Sequence, residues 1–225
     1  MSELNPSGEI KGYIFDLDGV ITDTAEIHYR SWKRLADEEG LSFTRDDNEA
    51  LRGVSRRRSL ELLLKGRTLP EEQMLAWMTR KNDYYRQALP EITRADLLPG
   101  VPEFLAEAQK ADIRLGLGSA SKNAREVLIN LGVIDLFTAI GDGYSVVNGK
   151  PAPDLFVWVA GGLGLNPQQC VVFEDAEAGI DAALAGGFWT VGIGPAERVG
   201  HAHTRRDDMR GATVAEFARI AQVRA

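Results

Sequence analysis

Residues 12–24 read GYIFDLDGVITDT, a short apolar run that ends in two aspartates and a glycine. The run over 12–15 has little polar alternation, which is typical of a strand buried on both faces of a parallel sheet. Asp16 and Asp18 are two positions apart, so in an extended chain both carboxylates point the same way. Open α/β sheets place their ligands at this carboxyl edge. The alternative is a strand-end turn with solvated acids, since Asp-Gly is common in turns.

Similar apolar runs recur along the rest of the chain and alternate with helical patterns. We predict further strands over 113–117, 137–140, 170–173 and 189–193, and helices over 101–110, 121–131, 153–162, 176–185 and 213–223. Strand and helix in alternation are the signature of an α/β fold with helices on both faces of the sheet. The sequence therefore predicts a Rossmann-like parallel-sheet core.

One stretch, residues 25–97, interrupts this alternation. It contains no convincing strand but has amphipathic helical segments at 25–39, 59–64 and 70–89. The flanking segments 23–25 and 96–100 are the predicted hinges, and the second carries a Pro-Gly turn. We predict an α/β core domain made of 1–24 and 98–225, with a helical domain inserted at 25–97.

A second acidic pair, Glu174-Asp175, follows the predicted strand over 170–173. If this strand lies near the first one, up to four carboxylates surround one small space. Oxygen ligands without histidine or cysteine suit Mg²⁺ better than zinc or iron. The pair could equally serve as the N-cap and first turn of the next helix, where negative charge is favourable. The sequence alone gives these two interpretations equal weight.

Two further segments offer donors for a phosphate. SASKN at 119–123 follows a predicted strand and opens a helix, where free amides and the Ser119 hydroxyl can bind an anion. In GKPAPD at 149–154 the prolines restrict the backbone around Lys150, which can then be held against a phosphate or an aspartate. The alternatives are an ordinary N-cap at Ser121 and a surface-loop lysine at 150.

Composition narrows the classes of partner and compartment. The 225 residues hold 33 Asp+Glu against 26 Lys+Arg, so a net charge of −7 gives no general attraction to nucleic acid or anionic membranes. The one cysteine, Cys170, excludes an internal disulfide and a CxxC zinc site. No run approaches the roughly 20 apolar residues of a membrane span, and residues 1–15 lack the pattern of a secretory signal. We expect the protein to be cytoplasmic and monomeric. We also expect His201 and His203 to lie in a solvated loop.

Four motifs in order, FDLDGVITDT at 15–24, LGSAS at 117–121, GKPAPD at 149–154 and FEDAEAG at 173–179, resemble those of the haloacid dehalogenase superfamily of phosphotransferases. The helical insert corresponds to the four-helix cap of that superfamily. ITDTAEIHYRSW, LRGVSRRRSL and RKNDYY, which begin at residues 21, 51 and 80, are most similar to its β-phosphoglucomutase branch. This resemblance implies interconversion of β-glucose 1-phosphate and glucose 6-phosphate through β-glucose 1,6-bisphosphate, with Mg²⁺ as cofactor.

Two other functions are alternatives to this one. A sugar-phosphate phosphatase of the same fold would use both aspartates in the same way but give the phosphoryl group to water. A non-catalytic sensor of sugar phosphates would normally have lost a reactive carboxylate, and Asp16 and Asp18 are both present. We therefore expect small sugar phosphates as partners, and neither nucleic acid nor a membrane.

The resemblance also implies a role for individual residues. Asp16 would be the nucleophile and Asp18 the general acid/base. The metal would be held by the side chains of Asp16, Glu174 and Asp175 and by the backbone carbonyl of Asp18. The transferring phosphoryl group would be held by Ser119, Lys150 and the Ala120 amide, and Arg56 would bind the distal phosphate. Lining the sugar site or hinge would be Thr24, His28, Arg52, Gly53, Val54 and Lys81. Arg52 and Ala176 depart from the pattern, in which lysine and serine are usual.

Overall fold

The computed structural model describes residues 9–220. Residues 1–8 and 221–225 lie outside the described residues. They include both ends of the predicted core domain and the last part of the helix predicted over 213–223. They also include residues 1–8 of the stretch 1–15, which lacks the pattern of a secretory signal.

Six parallel strands form one sheet in the order β3-β2-β1-β4-β5-β6. Their bounds are β1 (Gly12–Phe15), β2 (Arg114–Gly118), β3 (Ala139–Gly141), β4 (Cys170–Glu174), β5 (Trp189–Ile193) and β6 (Thr204–Arg206). The predicted α/β class with a parallel sheet is confirmed. The first five strands match the five predicted apolar runs, whereas β6 was not predicted.

Alternating side chains of β1 explain why the sheet is covered on both faces. Tyr13 and Phe15 point to one face, where their rings lie 5.4 and 4.8 Å from that of Phe173. Ile14 points to the other face and packs in a separate core with Phe156. Helices cover these faces at α5 (Val101–Lys110), α6 (Ala124–Asn130), α7 (Asp154–Gly162), α8 (Glu177–Ala185), α9 (Ala196–Val199) and α10 (Val214–Ala218).

The inserted segment is helical and has a core of its own. Its helices are α1 (Ala25–Glu38), α2 (Arg45–Glu49), α3 (Arg56–Leu63) and α4 (Glu71–Ala88), which we call the cap. Buried side chains of the cap include Trp32, Leu35, Leu60, Leu63, Met74 and Trp77. The helix α2 was not predicted, because RDDNE has no apolar face; the Thr44 hydroxyl and the Asp47 carboxylate cap its first turn.

The two connections between core and cap lie side by side. The Thr22 hydroxyl donates to the carbonyl of Asp96 at 2.7 Å, and the Leu98 amide donates to the carbonyl of Ile21 at 2.9 Å. The predicted hinge segment 96–100 takes part in this hydrogen-bonded crossing, and the predicted segment 23–25 follows it directly along the chain. Separately, none of the helices within residues 9–220 combines the length and hydropathy needed to cross a membrane.

Candidate active site

The central position of β1 brings the two acidic motifs together. Phe15 is in register with Phe173 of β4, so Asp16 and Glu174 follow neighbouring strands at the same edge. Asp16, Glu174 and Asp175 are buried, and one oxygen from each lies within 4.8 Å of the others. Three buried carboxylates at this spacing can hold a metal ion, because hard cations prefer oxygen ligands. The Asp18 side chain is not part of this cluster.

The pair at 174–175 does not cap α8 with a side chain. That helix begins at Glu177, with Ala176 as its N-cap and no side-chain hydrogen bond there. Instead, Oε1 of Glu174 accepts hydrogen bonds from the amides of Asp175 and Ala176, at 3.2 and 3.1 Å. These bonds fix the Glu174 carboxylate toward the cluster.

Lys150 supplies the positive charge at the base of the cluster. Its Nζ donates to Oδ1 of Asp16 at 2.6 Å and to Oε2 of Glu174 at 2.7 Å, and its side chain is fully buried. The surface-loop alternative for Lys150 is therefore wrong. Burial works against the ammonium, but the Asp16 and Glu174 carboxylates outweigh it and raise the pKa of Lys150. Lys150 accordingly stays charged between two acids.

Two glycines allow the acidic cluster to pack this tightly. Gly19 has a φ of +79°, and a Cβ there would lie 2.3 Å from Oδ2 of Asp175. At Gly179, on α8, a Cβ would lie 2.0 Å from the Glu174 carboxyl group. Both approaches are shorter than any real contact, so a side chain at either position displaces a carboxylate of the cluster.

Asp18 lies beside the cluster and has a different environment. Its amide donates to Oδ2 of Asp16 at 3.0 Å, and its carboxylate accepts a hydrogen bond from the hydroxyl of Thr24. Burial, and then the charge of Asp16, raise the pKa of Asp18 to about 7. A carboxyl group with a pKa near neutrality can take up and release a proton, as general acid/base catalysis requires.

A cavity of about 760 Å³ lies between this cluster and the cap. Its lining includes ten residues predicted from the sequence as substrate-binding or catalytic, together with the predicted metal ligand Asp175. The ten are Asp16, Asp18, His28, Arg52, Gly53, Val54, Arg56, Lys81, Ser119 and Ala120. Three more lie behind this wall: Thr24 donates to Asp18, and Lys150 donates to both Asp16 and Glu174. The fold thus gathers every predicted site residue in or directly behind one cavity.

On the cap side, the half-buried His28 and the buried Lys81 form a basic pair. Lys81 Nζ lies 2.8 Å from His28 Nδ1 and is flanked by the rings of Trp32 and Tyr85 at 5.1 and 4.9 Å. Burial, then the charges of Lys81 and Arg56, lower the pKa of His28 well below its usual range. A neutral His28 that accepts at Nδ1 carries its proton on Nε2, which lies 4.0 Å from Oδ2 of Asp18.

Arg56 takes part in a contact that joins cap and core. Its guanidinium donates to Oδ1 of Asn82 at 2.7 Å, and the same oxygen accepts from Nδ2 of Asn123 at 2.9 Å. The neighbouring Arg57 and Arg58 are exposed and pair with cap glutamates, so the basic run has one inward member. Burial lowers the pKa of Arg56, and an anion in the cavity would offset that cost.

Several residues of the cavity were not predicted individually. Ser121 and Lys122 line it, and Asn82 and Asn123 support Arg56. The first helix after β2 was predicted from residue 121, but α6 begins at Ala124 with Asn123 as its N-cap. Residues 122–123 form a turn instead. The polar side chains of Asn82 and Asn123 stand in the segments RKNDYY and SASKN, which the sequence already singles out as candidate site segments.

The loop after α2 packs closely on the core. Gly53 has a φ of +69°, and a Cβ there would lie 2.8 Å from the Cβ of Ala176. Arg52 lines the cavity, but its guanidinium donates to Oε2 of Glu49 at 2.9 Å and to Oδ2 of Asp175 at 3.2 Å. Arg52 therefore reaches the acidic cluster itself from the cap.

The two histidines near β6 lie away from the cavity. His201 is exposed, as predicted, and its Nε2 is 3.1 Å from a carboxylate oxygen of Asp181. The solvated-loop prediction is wrong for His203, which is half-buried, packs on Trp189 at 4.9 Å and accepts a hydrogen bond from the Thr190 amide. Order at this position comes from the pairing of β6 with β5.

Comparison with known proteins places these features in context. Residues 10–187 match the haloacid dehalogenase-like hydrolase family. The chain is 44% identical over 191 residues to a β-phosphoglucomutase of Bacillus subtilis, which covers 82% of this chain and 84% of that protein. A crystal structure of a β-phosphoglucomutase from Clostridium difficile superposes with a TM-score of 0.91 at 39% identity, covering 95% of this chain and 98% of the other. A phosphorylated carbohydrates phosphatase of Thermotoga maritima is 30% identical, covering 80% of this chain and 82% of that protein.

Proposed function

Because the chain belongs to the haloacid dehalogenase-like hydrolase family, we propose that it is a β-phosphoglucomutase that interconverts β-D-glucose 1-phosphate and glucose 6-phosphate. The observation that carries this proposal is the 44% identity, over 82% of the chain, to the Bacillus subtilis enzyme of that name. The cavity is consistent with this proposal, because carboxylates lie at the base of the cavity and basic side chains line it on the cap side.

Asp16 is the proposed nucleophile. It follows the central strand, and its carboxylate is oriented by the Asp18 amide and the Lys150 ammonium. A carboxylate oxygen forms the new bond to phosphorus while the bond from phosphorus to the sugar oxygen breaks, which gives an aspartyl phosphate. Lys150, Ser119 and the Ala120 amide hold the transferring group, because phosphoryl transfer depends mainly on positioning and charge neutralisation.

Asp18 is the proposed general acid/base in both half-reactions. In the first, the 6-hydroxyl of β-glucose 1-phosphate attacks the phosphorus of phosphorylated Asp16, and Asp18 accepts the hydroxyl proton. The product is the 1,6-bisphosphate. In the second, the phosphoryl group on carbon 1 passes to Asp16, and Asp18 returns the proton to the departing oxygen. The raised pKa of Asp18 suits both directions of this proton transfer.

The acidic cluster is the proposed site of Mg²⁺. Asp16, Glu174, Asp175 and the backbone carbonyl of Asp18 offer only oxygen ligands, which this ion prefers. Bound there, the ion would neutralise charge on the phosphoryl oxygens and on the nucleophile. Lys150 supplies part of the same neutralisation from the buried side.

The cap is the proposed site of the distal phosphate and the sugar. A mutase must bind the bisphosphate in two orientations, so whichever phosphate is distal needs a cation outside the reacting centre. Arg56 has the geometry for bidentate phosphate binding and is half-buried in the cavity wall. We assign the sugar site and hinge to Thr24, His28, Arg52, Gly53, Val54 and Lys81. A cytoplasmic location and a monomeric state remain predictions.

A product assay tests the proposal directly. The purified protein is incubated with Mg²⁺, β-glucose 1-phosphate and a trace of β-glucose 1,6-bisphosphate, and both glucose 6-phosphate and inorganic phosphate are followed. Stoichiometric glucose 6-phosphate is expected. The α-anomer, run in parallel, is expected to be a poor substrate.

The competing function is a sugar-phosphate phosphatase. The 30% identity to the phosphorylated carbohydrates phosphatase of Thermotoga maritima supports it as the alternative. It predicts release of inorganic phosphate at the rate of substrate loss. That result would overturn the mutase proposal while leaving Asp16 and Asp18 in their roles. No turnover with either readout would overturn both functions.

A further inference from the structure

Four charged side chains form a closed ring where the cap meets the core. Oε2 of Glu49 accepts from Nε of Arg52 at 2.9 Å and from Nη1 of Arg198 at 3.4 Å. Oδ2 of Asp175 lies 3.2 Å from Nη1 of Arg52 and 3.6 Å from Nη2 of Arg198. Acids and bases alternate around this ring, so every neighbour is an opposite charge.

The ring spans the two parts of the molecule in a specific way. Glu49 and Arg52 belong to the cap, whereas Asp175 and Arg198 belong to the core. Opening the cap would keep the pair within each part and break the two contacts that cross, Arg52 to Asp175 and Arg198 to Glu49. Closure therefore gains two ion pairs that no open arrangement offers.

The ring also separates two cavities. Arg52 and Asp175 line both the 760 Å³ cavity and a second cavity of about 650 Å³, which Arg198 also lines. The second cavity is also lined by Asp207 and Asp208. The ring therefore lies where the two cavities adjoin at Asp175, and an aspartyl phosphate formed nearby would be open to attack by water.

We propose that Arg198 is a positioning residue that holds the cap closed over the acidic cluster by bridging Glu49 and Asp175. It lies on the four-residue helix α9, outside all the motifs that identify the site. Its side chain is 27% exposed and that of Glu49, across the interface, is 55% exposed, so solvent partly screens the contact that crosses from core to cap. Arg52 completes the same bridge from the cap side.

Distance measurement by pulsed electron paramagnetic resonance tests the proposal on the metal-free, full-length protein. Spin labels are placed on the cap by Glu72→Cys and on the core by Lys110→Cys; both positions are exposed, and the native Cys170 is buried. Arg198→Gln is expected to lower the ratio of closed to open molecules about two- to five-fold, the range for one partly exposed ion pair. Glu49→Gln should act similarly, and the double variant should add little to either single change.

The matched control is Arg80→Gln. Arg80 pairs with Glu39 entirely within the cap, and its side chain is 37% exposed, comparable to that of Arg198. The control is expected to keep the parent distance distribution, and Arg198→Lys is expected to restore part of the closed population. High salt should reduce the difference between Arg198→Gln and the parent. A distribution for Arg198→Gln that matches both the parent and the control would overturn the proposal.

A kinetic measurement extends the test to turnover, and this arm alone rests on the proposed mutase function. Arg198→Gln should raise KM for β-glucose 1-phosphate two- to five-fold with a smaller change in kcat, because closure contributes to binding throughout the reaction. A loss confined to kcat would contradict the positioning role. The distance measurement uses no substrate, so a failed product assay would not be mistaken for failure of the ring.

Discussion

Replacing Lys150 with methionine tests the electrostatic arrangement at the base of the cavity. The change keeps most of the side-chain volume but removes the ammonium group from between Asp16 and Glu174. Both carboxylates are at most 5% exposed, and the lysine side chain is fully buried. Removing one partner of such a buried pair costs about 3–5 kcal/mol, because the remaining charges lose their compensation.

For a chain of this length, that cost corresponds to a fall in Tm of about 6–20 °C. It should be measured by thermal unfolding at pH 8 in the absence of divalent cations, with the exposed Lys110→Met as the control. Burial already raises the pKa of Glu174 to about 8, and loss of the ammonium raises it further. The variant therefore keeps the Glu174 proton to a higher pH than the parent does, so its Tm deficit should narrow as the pH falls from 10 to 7.

Divalent cation provides a second check on the same variant. If the cluster binds Mg²⁺, the ion replaces part of the missing charge, and the Tm deficit of Lys150→Met should narrow as Mg²⁺ is added. A Tm for Lys150→Met within about 2 °C of the parent at pH 8 without metal would refute the buried-charge reasoning. So would a deficit that does not depend on pH.

Three further predictions concern the same site. Asp18→Asn should lower turnover at least about 100-fold, which is the usual contribution of a general acid/base. Mn²⁺ binding by this variant, measured by electron paramagnetic resonance, should stay close to that of the parent. Near-normal turnover would remove Asp18 from this role. The lowered pKa of His28 means that this side chain stays neutral in the folded protein below pH 6.5 but is protonated in the unfolded chain, so its own contribution to stability falls from pH 8 to pH 5. In circular dichroism melts His28→Gln should therefore gain Tm relative to the parent as the pH falls from 8 to 5, and a difference from the parent that is the same at both pH values would contradict the assignment. Gly179→Ala should lower the free energy of unfolding in urea by about 1–3 kcal/mol, because the added Cβ meets the Glu174 carboxyl group. The control is Gly161→Ala, at a helical glycine with open space around it, which should not destabilise the protein. Equal effects of the two changes would refute the packing argument.

The sequence predicted the parts of the fold that depend on local apolar patterns. The strands β1 and β4 are continuous apolar runs, because both faces of the sheet are covered, and their ends therefore stand out at Asp16 and Glu174. Once these runs are taken as strands of one parallel sheet, their carboxyl edges must coincide. The meeting of Asp16, Glu174 and Asp175 was predictable for this reason.

Short polar elements were not predictable in the same way. The strand β6, Thr204–Arg206, pairs on one side only and carries two arginines, so no apolar run marks it. The helix α2 is five residues long and entirely polar, and the Thr44 cap and packing around Leu51 hold it in place. In both elements, tertiary contacts rather than intrinsic preference decide the conformation.

Contacts across the interface between cap and core depend on the orientation of the cap. Arg198 and Glu49 are 149 residues apart, and no sequence pattern links them. The same is true of Asn82 and Asn123, which meet at one oxygen beside Arg56. Such pairs follow from the hinge geometry, which local propensities do not determine.

That hinge geometry has an implication for how proteins of this architecture can diversify. The chain leaves and rejoins the sheet domain at adjacent points, where Thr22 and Leu97 form an antiparallel bridge. A segment whose two ends are already neighbours can lengthen, shorten or be exchanged at little entropic expense to its host. The proposed phosphoryl-transfer site in the core and the proposed sugar-binding surface of the cap are thus separable pieces, and grafting a different helical bundle between these two points is a direct way to test for a new substrate.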